Sequence, residues 1–201
     1  VSGAAGSNTK TVAGYVTVGP DAADGMAMAV GHLLSVHHHQ SIALVIGESV
    51  DPDADRREAG WRRAHADHGR ALGPVARTAF TRDGGHRAGL GLLDRADRPT
   101  AVVTSSDLQA IGLLTAAHEL GLRVPEDVAV VSFDGTEETR FTAPPLTTVR
   151  QPVAAMAAAP EPPGPSPLAC WYSRSHRGRA AGRRRGCCSP ASSWRPARAR
   201  W

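Results

Sequence analysis

The sequence predicts an α/β fold in which helices flank parallel sheets. Three observations carry this. Residues 41–47 (SIALVIG), 100–104 (TAVVT) and 128–133 (VAVVSF) are apolar runs of strand length, continuous rather than alternating, as strands covered on both faces are. Between them lie segments whose apolar residues recur at helical spacing. The connections are short, so that 100–133 reads as strand, helix, strand, the form of a right-handed parallel crossover unit. Alternation of β and α along the chain is the pattern of a parallel sheet layered between helices.

The elements follow in order. Residues 1–14 (VSGAAGSNTKTVAG) are small and polar and read as a loop, with Val1 and Ser2 closing a strand that began upstream. Residues 15–18 form a short strand. Residues 21–35 form a helix with Met26, Val30, Leu33 and Leu34 on one face. After the strand at 41–47, a helix spans 53–69 and ends on Gly69 in a C-terminal capping position. A strand at 76–80 and a Leu-faced helix at 83–96 precede the strand at 100–104. Ser105, Ser106 and Asp107 then supply N-cap chemistry for a helix at 108–120, which Gly121 stops. Pro125, Glu126 and Asp127 turn the chain into the strand at 128–133. The pattern ends after Ala159. PEPPGPSP suits neither helix nor strand, and RGRAAGRRRGCCSP and RPARARW have no apolar period. Residues 160–201 therefore read as a disordered basic tail.

The 201 residues carry a net charge of +4, and this total conceals an asymmetry. The tail holds nine arginines against one acid, Glu161, so it carries +8 and the preceding residues carry −4. A mildly acidic body lacks the footprint of a basic DNA-binding face. Cys170, Cys187 and Cys188 all lie in the tail, so the body has no disulfide framework and no thiolate metal site. No apolar run approaches the ~18 residues of a membrane span, and no signal-peptide pattern opens the chain. A cytoplasmic location is expected.

Ligands of parallel α/β sheets bind beyond the carboxyl ends of the strands. Ser106 and Asp107 follow one strand, Asp134 follows the next, and Gln151 follows the apolar and Thr-rich stretch 146–149. A carboxylate there can accept hydrogen bonds from a polyol, and a Gln amide can donate and accept. The plainer alternative is that Asp107 caps its helix and Asp134 starts a turn. For Asp107 the cap is the preferred reading.

The stretch RPTAVVTSSDLQAIGLLTAAHELGLRVPEDVAVVSFDGTEETRFTAPPLTTVRQPV, residues 98–152, resembles the sensor domain of the LacI/GalR family of transcriptional regulators. It combines a P-T-A strand, a D-x-x-A-x-G helix start, E-x-G-L-x-V-P-x-D, V-V-x-F-D and P-P-L-T-T-V-x-Q. Residues 25–34, IALVIG at 42–47, and Arg57-Glu58-Ala59-Gly60-Trp61 extend the likeness to about 15–158. The resemblance implies a periplasmic-binding-protein-like fold of two lobes with a small molecule, often a sugar or nucleobase, in the cleft. It divides the chain into a partial first lobe at 1–47, a second lobe at 48–149, a crossover at 150–159 and the tail at 160–201. It also implies ligand contacts from Arg57 in the R-x-x-G-[FW] pattern and from Asp134 in V-V-x-[FY]-D. Ser106 stands where many members have Asn. Gln151 falls near the hinge between lobes, and Phe80 where an aromatic packs on the ligand. Asp107 completes the candidate set.

The implied partners are a small-molecule effector, most naturally a sugar, and operator DNA. The DNA would be read only through a helix-turn-helix that precedes the sensor in the family and the start of this sequence. Members form homodimers, and the helix at 108–120 is a candidate face. No cofactor, metal or enzyme activity is expected. His37-His38-His39 with His32 invite a metal reading, but consecutive residues point in different directions and no Cys or acidic partner is placed with them. No G-x-S-x-G elbow or P-loop occurs, and GLGLL at 89–93 lies inside a helix. Two other readings stay open: a sugar-binding transport component of the same fold, and a non-functional fragment. The Arg/Pro/Ala/Gly/Cys composition after Ala159 is what out-of-frame translation of GC-rich DNA produces.

Overall fold

A computed structural model describes residues 2–4, 7–12, 15–48 and 52–157. Among these residues the chain builds one sheet of six strands and a separate two-stranded hairpin. The elements are β1 (Ser2–Ala4), β2 (Ser7–Val12), β3 (Tyr15–Pro20), α1 (Ala22–Ser35), β4 (Ile42–Ile46), α2 (Pro52–Asp67), β5 (Val75–Arg77), α3 (Arg82–Leu93), β6 (Ala101–Thr104), α4 (Asp107–Glu119), β7 (Ala129–Asp134), a 3-10 turn (Glu137–Arg140), β8 (Thr147–Arg150) and α5 (Val153–Ala157). The large sheet runs β1-β8-β7-β6-β4-β5, and every neighbouring pair in it is parallel.

The apolar runs explain the layering. Along β4 the side chains alternate between faces. Ile42, Leu44 and Ile46 join the core beneath α1 and α2, with Met26, Val30, Trp61 and Phe133. Ala43 and Val45 join the core beneath α3 and α4, with Val102, Leu93 and Leu113. All five residues of β4 are fully buried, so neither face could have been polar. Side-chain caps define the helix starts: Asp21 accepts from the amide of Asp24 at 3.0 Å, and Thr81 from that of Gly84 at 3.0 Å. Pro52 opens α2, where a missing N–H costs no helical hydrogen bond. Gly69 and Gly121, at φ 60° and 69°, end α2 and α4. In each case the amide of the residue after the glycine reaches back five residues, Arg70 to His65 and Leu122 to Ala117.

Several expectations are corrected. Residues 1–14 are not all loop: they contain β1, which pairs with β8, and β2, which pairs antiparallel with β3. Thr9, Thr11 and Val12 are β-branched and suit such a ribbon. The strand expected at 76–80 is the shorter β5, leaving Phe80 beyond its end. The helix expected to reach Ala96 ends at Leu93, because Asp94 leaves helical geometry at φ −81°, ψ 60°. Strand β4 lies between β5 and β6 in the large sheet, and α1 packs beside α2. A continuous apolar strand carries no label for its neighbours, so the residues could not place β4 between them. The basic tail at 160–201 lies outside the described residues. Among the described residues no helix is long and apolar enough to cross a membrane.

Helices α3 and α4 approach closely enough that a β-carbon on Gly112 would sit 1.9 Å from the carbonyl oxygen of Arg82. Gly91, on the open side of α3, has nothing within 4 Å. Gly112→Ala is expected to destabilise the protein by about 1–3 kcal/mol through overpacking. Gly91→Ala is expected to stabilise it by about 0.5–1 kcal/mol through helix propensity. Urea melts of both variants check the opposite signs.

Candidate functional site

The strand order reverses at β4. The chain leaves β4 toward β5 on one side, then crosses to β6 on the other and continues outward through β7 to β8. This is the flavodoxin-like doubly wound order, whose crevice opens outside the carboxyl ends of the strands flanking the reversal. Gly47 follows β4 and Ser105 follows β6, so these two residues bracket the crevice floor.

Arg57 crosses it. The side chain comes from the second turn of α2, is almost wholly buried at 6% exposure, and donates through Nη1 to the carbonyl oxygen of Ser105. Its guanidinium lies over the Phe133 ring at 4.4 Å from the centroid, where ring and cation attract. The remainder of the Arg57–Trp61 motif fixes α2. Glu58 accepts from Arg62 and from Arg77 on β5. Gly60 admits the backbone of α1 at Ala23, which a β-carbon would meet at 2.1 Å. Trp61 is fully buried in the core. The motif thus sends one side chain, Arg57, into the crevice from a helix fixed through Glu58, Gly60 and Trp61.

Asp134 ends β7 and faces Arg57, with Oδ1 3.7 Å from Nη2, outside direct hydrogen-bond range. Gln151 donates from Nε2 to Oδ1 at 2.7 Å, and its amide donates to the Asp134 carbonyl at 2.9 Å. Oδ2 accepts a long bond, 3.4 Å, from the first amide of α4. The backbone of Asp134 is at φ 127°, a region that L-residues rarely adopt and that concentrates at functional sites. Burial pushes the Asp134 carboxyl above its ordinary value, against the opposing pull of the Arg57 guanidinium and the Gln151 amide, and the neighbouring charge of Asp107 adds to the rise.

The other expected residues divide. Ser106, not Asp107, is the N-cap of α4: its hydroxyl accepts from the Gln109 amide at 3.2 Å. Asp107 is 1% exposed and accepts four hydrogen bonds, from Ser132 Oγ at 2.6 Å and Thr148 Oγ1 at 2.8 Å on Oδ1, and from the Thr136 amide at 2.7 Å and hydroxyl at 2.8 Å on Oδ2. A carboxylate offers about four lone-pair sites, so these donors occupy it. Phe80 is half-buried against Gly47, where a β-carbon would lie 2.2 Å from its ring, so it walls the β4 side of the crevice. Arg57, Asp134 and Gln151 therefore converge directly, Ser106 and Phe80 border them, and Asp107 braces the site from behind. Sequence reasoning missed Gly47, Ser105 and Thr136. Ser105 could have been found from its place directly after β6, since its carbonyl is presented at the strand end.

The arrangement combines a cation, a desolvated carboxylate, an amide and an aromatic face, a set suited to fixing a small polar molecule with hydroxyl groups. The groups contacting Asp134 are a guanidinium, an amide and a helix N-terminus, which do not form an acid–base pair. The histidines lie elsewhere. His32 and His37 approach through their Nε2 atoms at 3.1 Å, and His39 Nδ1 meets Thr100 Oγ1 at 3.0 Å. They precede β4, at the sheet's opposite edge. Among the described residues no group of three or more His, Cys, Asp or Glu could hold a metal ion.

Comparison with known proteins agrees with this fold. Residues 30–159 match the family model of a periplasmic binding protein-like domain. A Streptomyces limosus protein described as an uncharacterised HTH-type transcriptional regulator is 42% identical over 147 residues, which cover 71% of this chain and 41% of that protein. The HTH-type transcriptional regulator MalR of Streptomyces coelicolor is 40% identical over 71% of this chain and 42% of its own length. The chain thus spans about two fifths of the curated relatives it matches. A sugar-binding transcriptional regulator of the LacI family from Escherichia coli, solved with phosphate, superposes with a TM-score of 0.66 at 36% identity, over 69% of this chain and 50% of that one.

A carboxyl whose folded pKa is raised contributes stability that is fully present below its unfolded value and is lost as the pH rises through the folded one. Asp134→Asn removes that cost, so the variant is expected to melt above the wild type at pH 7, with the two converging as the pH is lowered toward 3.8. Thermal melts across this range test it, and a difference constant with pH would contradict it.

Proposed function

The chain belongs to the LacI family of transcriptional regulators, through its periplasmic-binding-protein-like domain, and from that premise we propose that it is the effector-binding sensor portion of such a regulator. The observation that carries the reading is the Arg57–Asp134 pair at the switch point. Two opposite charges are held 3.7 Å apart, partly desolvated, and can each turn to the hydroxyls of a small molecule. Arg57 offers a rigid donor fork, Asp134 accepts, Gln151 and Ser106 add polar contacts, and Phe80 presents an apolar face. A sugar fits this set best, and the comparison protein described as sugar-binding supports that choice. Asp107 is withdrawn from the contacting residues, because its four partners leave it no capacity.

The sheet from β4 to β8 with its helices forms one lobe in this reading. Gln151 leads from the site into Pro152 and α5, toward a second lobe. An effector that binds one lobe arrangement more tightly than another shifts their populations, and the coupling reaches operator DNA through the helix-turn-helix that the relatives' names denote. A second copy of the chain, docked through the outer face of α4, is part of the same proposal. The transport-component alternative has no observation in its favour, since the relatives named above are transcriptional regulators.

A thermal-shift screen of mono- and disaccharides, nucleosides and purines tests the site. A true effector at a hundred times its Kd is expected to stabilise the protein by about 2.7 kcal/mol. Arg57→Lys should weaken that shift, since an ammonium lacks the planar fork, and Asp134→Ala should abolish it. A shift that survives both changes at full size would place the ligand elsewhere.

A further inference from the structure

The strained backbone of Asp134 raises the question of what holds it. On one side the residue is fixed by the sheet, through its pairing opposite Arg150 and the Gln151 amide. On the other side the chain turns through Gly135, at φ 75°, where a β-carbon would lie 2.5 Å from the α-carbon of Arg150. The turn is then caught twice. The Gly135 amide donates to the Thr148 hydroxyl at 3.1 Å, and that hydroxyl donates to Asp107 at 2.8 Å. The Thr136 amide and hydroxyl donate to Asp107 directly. Ser132, two residues before Asp134, donates to the same carboxylate at 2.6 Å. These restraints all end on one buried carboxylate at the start of α4.

We infer that Asp107 is a positioning residue: it holds the 134–136 turn in its left-handed path and so aims the Asp134 carboxylate at Arg57 and Gln151 across the crevice. The inference rests on the reading of Asp134 as an effector contact, but it concerns the free protein. A chain with a relaxed turn would swing Asp134 out of the sheet's carboxyl edge, away from the guanidinium and toward solvent. Charge–hydrogen-bond pairs of this type are the stronger ones, and the four donors come from β7, the following turn and β8, so the carboxylate joins three segments at one point. Arg57 and Asp107 are the ionisable groups that act on Asp134 across this contact.

The test compares full-length wild type with Asp107→Asn, Thr136→Val and Thr136→Ser by amide hydrogen exchange and by carbon-detected titration of the Asp134 carboxyl. In Asp107→Asn the Thr136 amide is expected to exchange at least tenfold faster than in the wild type, beyond any change at the β4 and β6 amides. The Asp134 midpoint is expected to fall toward its ordinary value. Thr136→Val, which keeps shape but loses the hydroxyl, should move both in the same direction by less, and Thr136→Ser should restore them. If Asp107→Asn does not fold, the Val and Ser pair decides alone. Exchange that rises equally at Thr136 and in the core strands, or an Asp134 midpoint that stays at the wild-type value, would reduce Asp107 to a general stabiliser and overturn the inference. Both measurements are made without ligand, so failure to find an effector in the screen leaves this result standing and counts against the site reading alone.

Discussion

Parallel pairing of β4 with β6 is the constraint on which the rest of this molecule depends. Because the two strands run the same way and their crossovers depart to opposite sides, no connecting segment can cover the space beyond their carboxyl ends. A crevice must open there. The same pairing brings the ends of β4, β6 and β7 into line, so that residues separated by about a hundred positions in sequence present their groups to one small volume. Helix α2 begins just past that edge, and this is why Arg57, in its second turn, can reach the carbonyl of Ser105.

The site shows how saturation decides the role of a buried charge. Asp107 and Asp134 are both carboxylates at strand or helix ends, and both stand in family motifs. Asp107 has its oxygens filled by four short hydrogen bonds, so its burial is compensated and no acceptor capacity is left over. Asp134 has one short bond, one long contact and a cation just out of range. Burial therefore acts on it less opposed, and its proton affinity rises. An incompletely satisfied polar group is costly in an isolated domain and useful in a receptor, because an incoming hydroxyl supplies what is missing. The same residue carries the strained backbone, and such strain concentrates at functional sites.

Much of the layer structure was legible in the residues. The apolar runs at β4, β6 and β7, the cap at Ser106, and the stops at Gly69 and Gly121 are local signals, and each corresponds to an element of the fold. Arg57, Asp134 and Gln151 were reachable through motif and strand-end position together. The short strand β5 and the early end of α3 were not, because short elements at a sheet edge take their limits from neighbours rather than from their own pattern. The hairpin of β2 and β3 was hidden for a similar reason: small and polar residues form a ribbon only when a partner strand is available.

By itself the sequence determined the alternation of strand and helix, the family, and the residue types at the carboxyl edge, since these follow from hydrophobic period, capping chemistry and motif spacing. Tertiary structure decided which strands flank β4, because a strand buried on both faces carries no label for its neighbours. It also decided that the oxygens of Asp107 are filled while those of Asp134 are only partly so. Two aspartates of equal intrinsic chemistry differ only in the donors that folding brings to them, and those donors, Ser132, Thr136 and Thr148, come from strands and turns whose approach no local pattern records.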